Sequence, residues 1–107
     1  EVVLHANGRP VVLAHSIAAW RDLSGVWRGL RGLGSRPLAE ALFTDPLVAR
    51  GRLEYLRIDP RHPLGRRARQ VFGRDFGALW ARRSRFVKRG RPLLVTEVFL
   101  PELLALG

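Results

Sequence analysis

A glutamate stands where the chain would least be expected to carry a charge. Glu97 lies in Leu93-Leu94-Val95-Thr96-Glu97-Val98-Phe99-Leu100, a run that reads as a β-strand. In a strand, Glu97 shares a face with Leu93, Val95 and Phe99. The other face carries Leu94, Val98 and Leu100, with Thr96 its only polar side chain. Neither face reads as water-facing, so the carboxylate is expected to be at least partly buried. Burying a charge costs on the order of several kcal/mol unless it is paired or protonated. Glu97 is therefore a candidate for handling a proton or for binding a polar ligand group. A structural ion pair with an arginine of the neighbouring strand is the other reading the pattern leaves open.

That neighbouring strand holds Arg82-Arg83-Ser84-Arg85. Alternation puts Arg83 and Arg85 on one face and Arg82 with Ser84 on the other. The turn at Arg89-Gly90 would bring one of these sets near Glu97. The planar guanidinium fork suits carboxylate recognition, so a basic strand beside a buried acid fits an anionic ligand. A solvated basic strand is the plainer alternative. His5, His15 and His62 show no metal-ligand spacing. His62, beside Pro63, reads as a turn residue, and His15, in an apolar strand, as a packed one. The serines lack a nucleophile-elbow setting. The glycines between Gly25 and Gly34 do not match a phosphate-binding loop. With no cysteine in the chain, disulfides and cysteine–metal sites are excluded.

The elements that must position these groups can be read from turn chemistry. Val2 to Ala6 and Arg9 to Ile17 form strands about Asn7-Gly8, a strong hairpin signal because a type I′ turn needs positive φ at both central residues. Asp22 to Gly34 reads as loop with a helical turn near Trp27. Pro37 to Phe43 reads as a short helix opened by its proline and ended by Thr44-Asp45-Pro46. Arg52 to Ile58 reads as a strand, Leu64 to Phe72 as a basic helix with Leu64, Ala68, Val71 and Phe72 on one face. Gly77 to Val87 and Pro92 to Leu100 form the last two strands about Arg89-Gly90, and Glu102 to Leu106 forms one packed turn. The whole, residues 1–107, reads as a single α+β domain, an antiparallel β-sheet with short helices packed on it.

Composition narrows the partners. The chain carries 19 basic against 9 acidic residues, for a net charge of +10, and Lys88 is its single lysine. Such a surface attracts anions of any kind but says nothing about fold. No apolar run approaches the roughly 18–20 residues that span a bilayer, and no secretory signal opens the chain. A cytoplasmic location is the default expectation. The first residues already read as a strand, so the chain is expected to start inside a domain.

Two segments carry a specific likeness. Leu79-Trp80-Ala81-Arg82-Arg83-Ser84-Arg85-Phe86, then a turn and Arg91-Pro92-Leu93-Leu94-Val95-Thr96-Glu97-Val98-Phe99-Leu100-Pro101, resembles the C-terminal signature of chorismate pyruvate-lyases. Leu33-Gly34-Ser35-Arg36-Pro37-Leu38 followed by Leu42-Phe43-Thr44, and the Glu1 to Pro10 hairpin, are similar to further parts of that family. The resemblance implies a lyase that converts chorismate to 4-hydroxybenzoate and pyruvate without cofactor or metal, as the first committed step of ubiquinone biosynthesis. It implies a monomer whose partners are small molecules, with neither nucleic acid nor membrane span, and with the family's N-terminal part standing before Glu1. It carries Glu97 over as the catalytic residue at the ring-hydroxyl end of the product, and Leu38 as a backbone N–H donor to the ring carboxylate. His15 falls where the family typically has arginine, and His15 and Arg83 complete the expected substrate-binding set. The family's carboxylate-binding arginine falls immediately before Glu1. Three alternatives stay open: a ligand-sensing domain of the same fold from a transcription regulator, an inactive truncated lyase, and a nucleic-acid-binding module argued from charge alone.

Overall fold

A computed structural model describes residues 1–18, 25–27 and 42–105. Five strands form one sheet: β1 (Val2–Ala6), β2 (Arg9–Ile17), β3 (Val48–Ile58), β4 (Leu79–Lys88) and β5 (Arg91–Phe99). Helix α1 (Pro63–Phe72) joins β3 to β4, α2 (Pro101–Ala105) follows β5, and residues 42–44 are helical. The spatial order is β1-β2-β5-β4-β3 with every pair antiparallel. The expected α+β class is thus met. The expected helix from Pro37 and the loop from Asp22 fall largely outside the described residues.

The two tight turns set the registers. Asn7 and Gly8 have φ of 53° and 77°, and Arg89 and Gly90 have 51° and 75°. Positive φ at both central residues is the type I′ geometry whose twist matches that of the flanking strands. The second turn therefore pairs Lys88 with Arg91 and fixes everything downstream on β4 and β5. β2 then pairs with β5 from Val12↔Phe99 to Ile17↔Leu94, which places β5 at the centre of the sheet.

β3 begins at Val48, four residues before the expected start at Arg52. The difference is a bulge: the β3–β4 register shifts between Arg50 and Leu53. Gly51 there passes the Arg85 backbone so closely that a Cβ would stand 3.1 Å from its carbonyl oxygen. A glycine inside a strand pattern reads as a break, yet a bulge uses it for this close approach.

Side-chain alternation divides the core between the two faces of the sheet. On one, Leu13, Ile58, Leu79, Ala81, Val98 and Leu100 pack against Ala68 of α1. Helix α1 lays Leu64, Val71 and Phe72 on the same cluster, the apolar stripe expected from their spacing. Its start is capped by the His62 ring, whose Nδ1 accepts from the Leu64 amide at 3.0 Å. Its end is Gly73 in the left-handed conformation, with its N–H bonded to the Arg69 carbonyl. On the other face, Phe86, Leu93 and Val95 pack with Trp27 and Leu42, and the Trp27 indole N–H donates to the Arg91 carbonyl at 3.2 Å.

Candidate active site

Glu97 occupies the middle of the central strand. Its Cα partners are Ala14 on β2 and Arg82 on β4, and Arg82 in turn faces Tyr55 on β3. These residues form one row across the sheet, on the face that carries Leu93 and Val95. The Glu97 side chain keeps 19% of its surface exposed, so it is mostly withdrawn from water as its apolar surroundings require.

The Arg82 guanidinium grips this carboxylate through one oxygen. Nε donates to Oε1 at 2.9 Å and Nη2 reaches the same Oε1 at 2.8 Å. Partial burial alone would lower the Arg82 guanidinium, but the hydrogen bond and negative charge of Glu97 hold it above its ordinary value. Such charge-assisted bonds are roughly twice as strong as neutral ones. The pair is the ion pair that the pattern left open, yet it does not consume the acid: among the described residues, both contacts fall on Oε1.

Of the four site residues expected from sequence, the three that are described do not converge. Leu38 lies outside the described residues. His15 and Arg83 flank Thr96 from β2 and β4, one position out of phase with Glu97, and so belong to the face covered by α1. Strand alternation makes neighbours in sequence point to opposite sides, and this places the sheet between Arg83 and Glu97. On that α1 face the His15 Nδ1 is buried and has no hydrogen-bond partner among the described residues. Beyond this row, Ile17, Ala18, Arg85, Pro92 and Leu94 line an open hollow of about 410 Å³. Among the described residues, its lining is apolar apart from Arg85 and includes no carboxylate.

Tyr55 is the residue that the sequence does not single out. Arg82 stands in one of the two candidate sets, and the signal that selects it is the two-residue turn. Counting six positions away from the turn on each strand, from Lys88↔Arg91, arrives at Arg82↔Glu97. Tyr55 carried no such signal, because its register depends on the bulge at Gly51. Among the described residues, no three histidine or acidic side chains stand together in a way that could hold a metal ion.

The sequence also matches known proteins. The family model described as chorismate lyase matches residues 1–105. A protein of Nitrosospira multiformis named probable chorismate pyruvate-lyase is 47% identical over 107 residues, which is 100% of this chain and 59% of the relative. Proteins of the same name from Azoarcus sp. (strain BH72) and Nitrosomonas eutropha are 52% and 51% identical, over 99% and 94% of this chain and 58% and 57% of their own lengths. The chain thus spans rather more than half the length of these relatives. With a family match along nearly its whole length and relatives at about half identity, the chain belongs to the chorismate lyase family.

Proposed function

We propose that the protein carrying this chain eliminates pyruvate from chorismate and leaves 4-hydroxybenzoate. The observation that supports this reading most directly is a mostly buried carboxylate, Glu97, held by a guanidinium on one oxygen at the centre of the sheet. The relatives' names point to the same reaction for those proteins.

The chemistry asks little of the protein. The ether bond at C3 of the ring breaks and the hydrogen at C4 leaves as a proton. The ring becomes aromatic, which supplies the driving force. The departing enolpyruvate takes up a proton at its methylene carbon and becomes pyruvate, so the reaction neither gains nor loses a proton overall. Orientation and a group that handles the proton suffice. Glu97 fills that role by receiving the C4 proton or by stabilising the developing phenol, and the Leu38 backbone N–H holds the ring carboxylate. His15 and Arg83 stand across the sheet from Glu97, so in this reading they serve the substrate away from the reacting end, Arg83 by attracting the anion and His15 as a hydrogen-bond donor. The finer parts of the same reading are a cytoplasmic monomer that works without cofactor and whose product enters ubiquinone biosynthesis. No helix among the described residues is long and apolar enough to cross a membrane.

The test is incubation of the intact protein with chorismate and chromatography of the products. Equal amounts of 4-hydroxybenzoate and pyruvate are expected, and Glu97→Gln should slow their formation about 100-fold or more, the scale of losing a positioned acid–base group. Intact chorismate after incubation would refute the activity, and full turnover by Glu97→Gln would refute the role of the carboxylate.

A further inference from the structure

We infer that Arg82 is the positioning residue of the site: it fixes the rotation of the Glu97 carboxylate so that Oε2 faces the substrate, and it does not itself bind the substrate. This rests on the reading of Glu97 as the working carboxylate. The guanidinium donates its Nε–H to Oε1 at 2.9 Å, and its Nη2 lies 2.8 Å from the same oxygen. With Cα fixed in the central strand and Oε1 pinned by the guanidinium, few staggered side-chain torsions remain open to the carboxylate, and these decide where Oε2 points. On the opposite flank stands Ala14, which has no side-chain polar atom to offer the second oxygen. Among the described residues, Oε1 is thereby committed to the protein and Oε2 is left for chemistry.

Arg82 faces Tyr55 on β3, so the row Tyr55–Arg82–Glu97 runs through three neighbouring strands. Because the Arg89-Gly90 turn dictates that Arg82 faces Glu97, the aim of the carboxylate is built into the hairpin. A misplacement of about 1 Å in a catalytic group costs on the order of 100-fold in rate. A positioning role therefore predicts a loss in kcat. A substrate contact predicts a rise in KM, because chorismate is a dianion and would lose a cationic partner.

The experiment measures kcat and KM for chorismate, and affinity for 4-hydroxybenzoate, in Arg82→Ala, Arg82→Lys, Glu97→Gln and the double variant Arg82→Ala/Glu97→Gln of the intact protein. Arg82→Ala is expected to lower kcat about 10- to 100-fold with KM and product affinity within about twofold. Millimolar guanidinium should restore part of the lost kcat in Arg82→Ala and none in Glu97→Gln. The double variant should be no slower than Glu97→Gln alone, since Arg82 acts only through that carboxylate. If circular dichroism shows Arg82→Ala unfolded, Arg82→Lys carries the test: its ammonium keeps the charge without the Nε–H that meets Oε1 and should still lower kcat at unchanged KM. A raised KM at wild-type kcat, or losses that multiply in the double variant, would overturn the positioning role while leaving Glu97 in place. Full turnover by Glu97→Gln would overturn the reading beneath it as well.

Discussion

Replacing Gly65 with alanine sets helix propensity against packing, and the structure decides the sign. Gly65 lies in the first turn of α1 and is buried. By propensity alone, a glycine-to-alanine exchange within a helix stabilises by up to about 1 kcal/mol. Here the new Cβ would overlap the Asp59 carbonyl oxygen and stand 3.1 Å from the Pro60 Cα. Both neighbours are backbone, in a turn tied by the His62 amide to the Asp59 carbonyl at 2.9 Å and by the Arg61 amide to the Asp59 carboxylate at 2.7 Å. The turn cannot yield, so the helix must lift. Ala68, one turn along and 0% exposed, would then lose contact with the core it shares with Ile58, Leu79 and Val98. Overpacking of this kind costs about 1–3 kcal/mol, which exceeds the propensity gain. The net expectation is a loss of about 1–2 kcal/mol, read as a lower urea midpoint at unchanged slope. Gln70→Ala, on the exposed side of the same helix, should stay within about 0.5 kcal/mol. A Gly65→Ala protein as stable as the parent would refute the claim that α1 is clamped to the turn before it.

Truncation of Leu13, 0% exposed in the α1-side core, should cost about 2–5 kcal/mol in the same assay, whereas Leu53→Ala at 40% exposure should cost under about 0.5 kcal/mol. Acid should weaken the fold. The hydrogen bond from Arg67 holds the Glu1 carboxyl below its usual 4.5, that from Lys88 holds Asp45 below 3.8, and the Glu102 backbone N–H, helped by Arg74, holds Glu102 below 4.5. A carboxyl lowered in the folded state stabilises above its unfolded value and loses that contribution as pH falls through the folded one. Urea midpoints should therefore drop as pH is taken below about 4, and less steeply at high salt, where exposed pairs are screened.

Much of the fold was legible because its turns are chemically explicit. Asn7-Gly8 and Arg89-Gly90 announced two hairpins, and both adopt the positive φ that those pairs suggest. Helix α1 was legible from Leu64, Ala68, Val71 and Phe72, all of which contribute to the α1-side core. What was not legible depended on contacts between distant segments. The early start of β3 hides behind Gly51, whose place in a bulge is set by the Arg85 backbone on another strand. The capping role of His62 was hidden because histidine is not among the usual N-cap residues. The pairing of β2 with β5 joins residues about eighty positions apart, and no local signal reports it.

The candidate site shows how a correct list of residue types can still miss a geometry. Arginine beside Glu97 was foreseen, yet the member of the pair Arg82-Arg83 that reaches it is decided by parity alone. A loop one residue longer at Arg89-Gly90 would shift the register by one and turn Arg83 toward Glu97. With the two-residue type I′ turn that the backbone adopts, Arg82 faces the acid and Arg83 joins Thr96 and His15 beneath α1. The residues that make a basic strand useful to a buried carboxylate are thus sorted by two turn residues that touch neither. An insertion in that turn should consequently lower kcat even where the sheet survives, because it would break the Arg82–Glu97 pair and bring Arg83 beside the acid in its place.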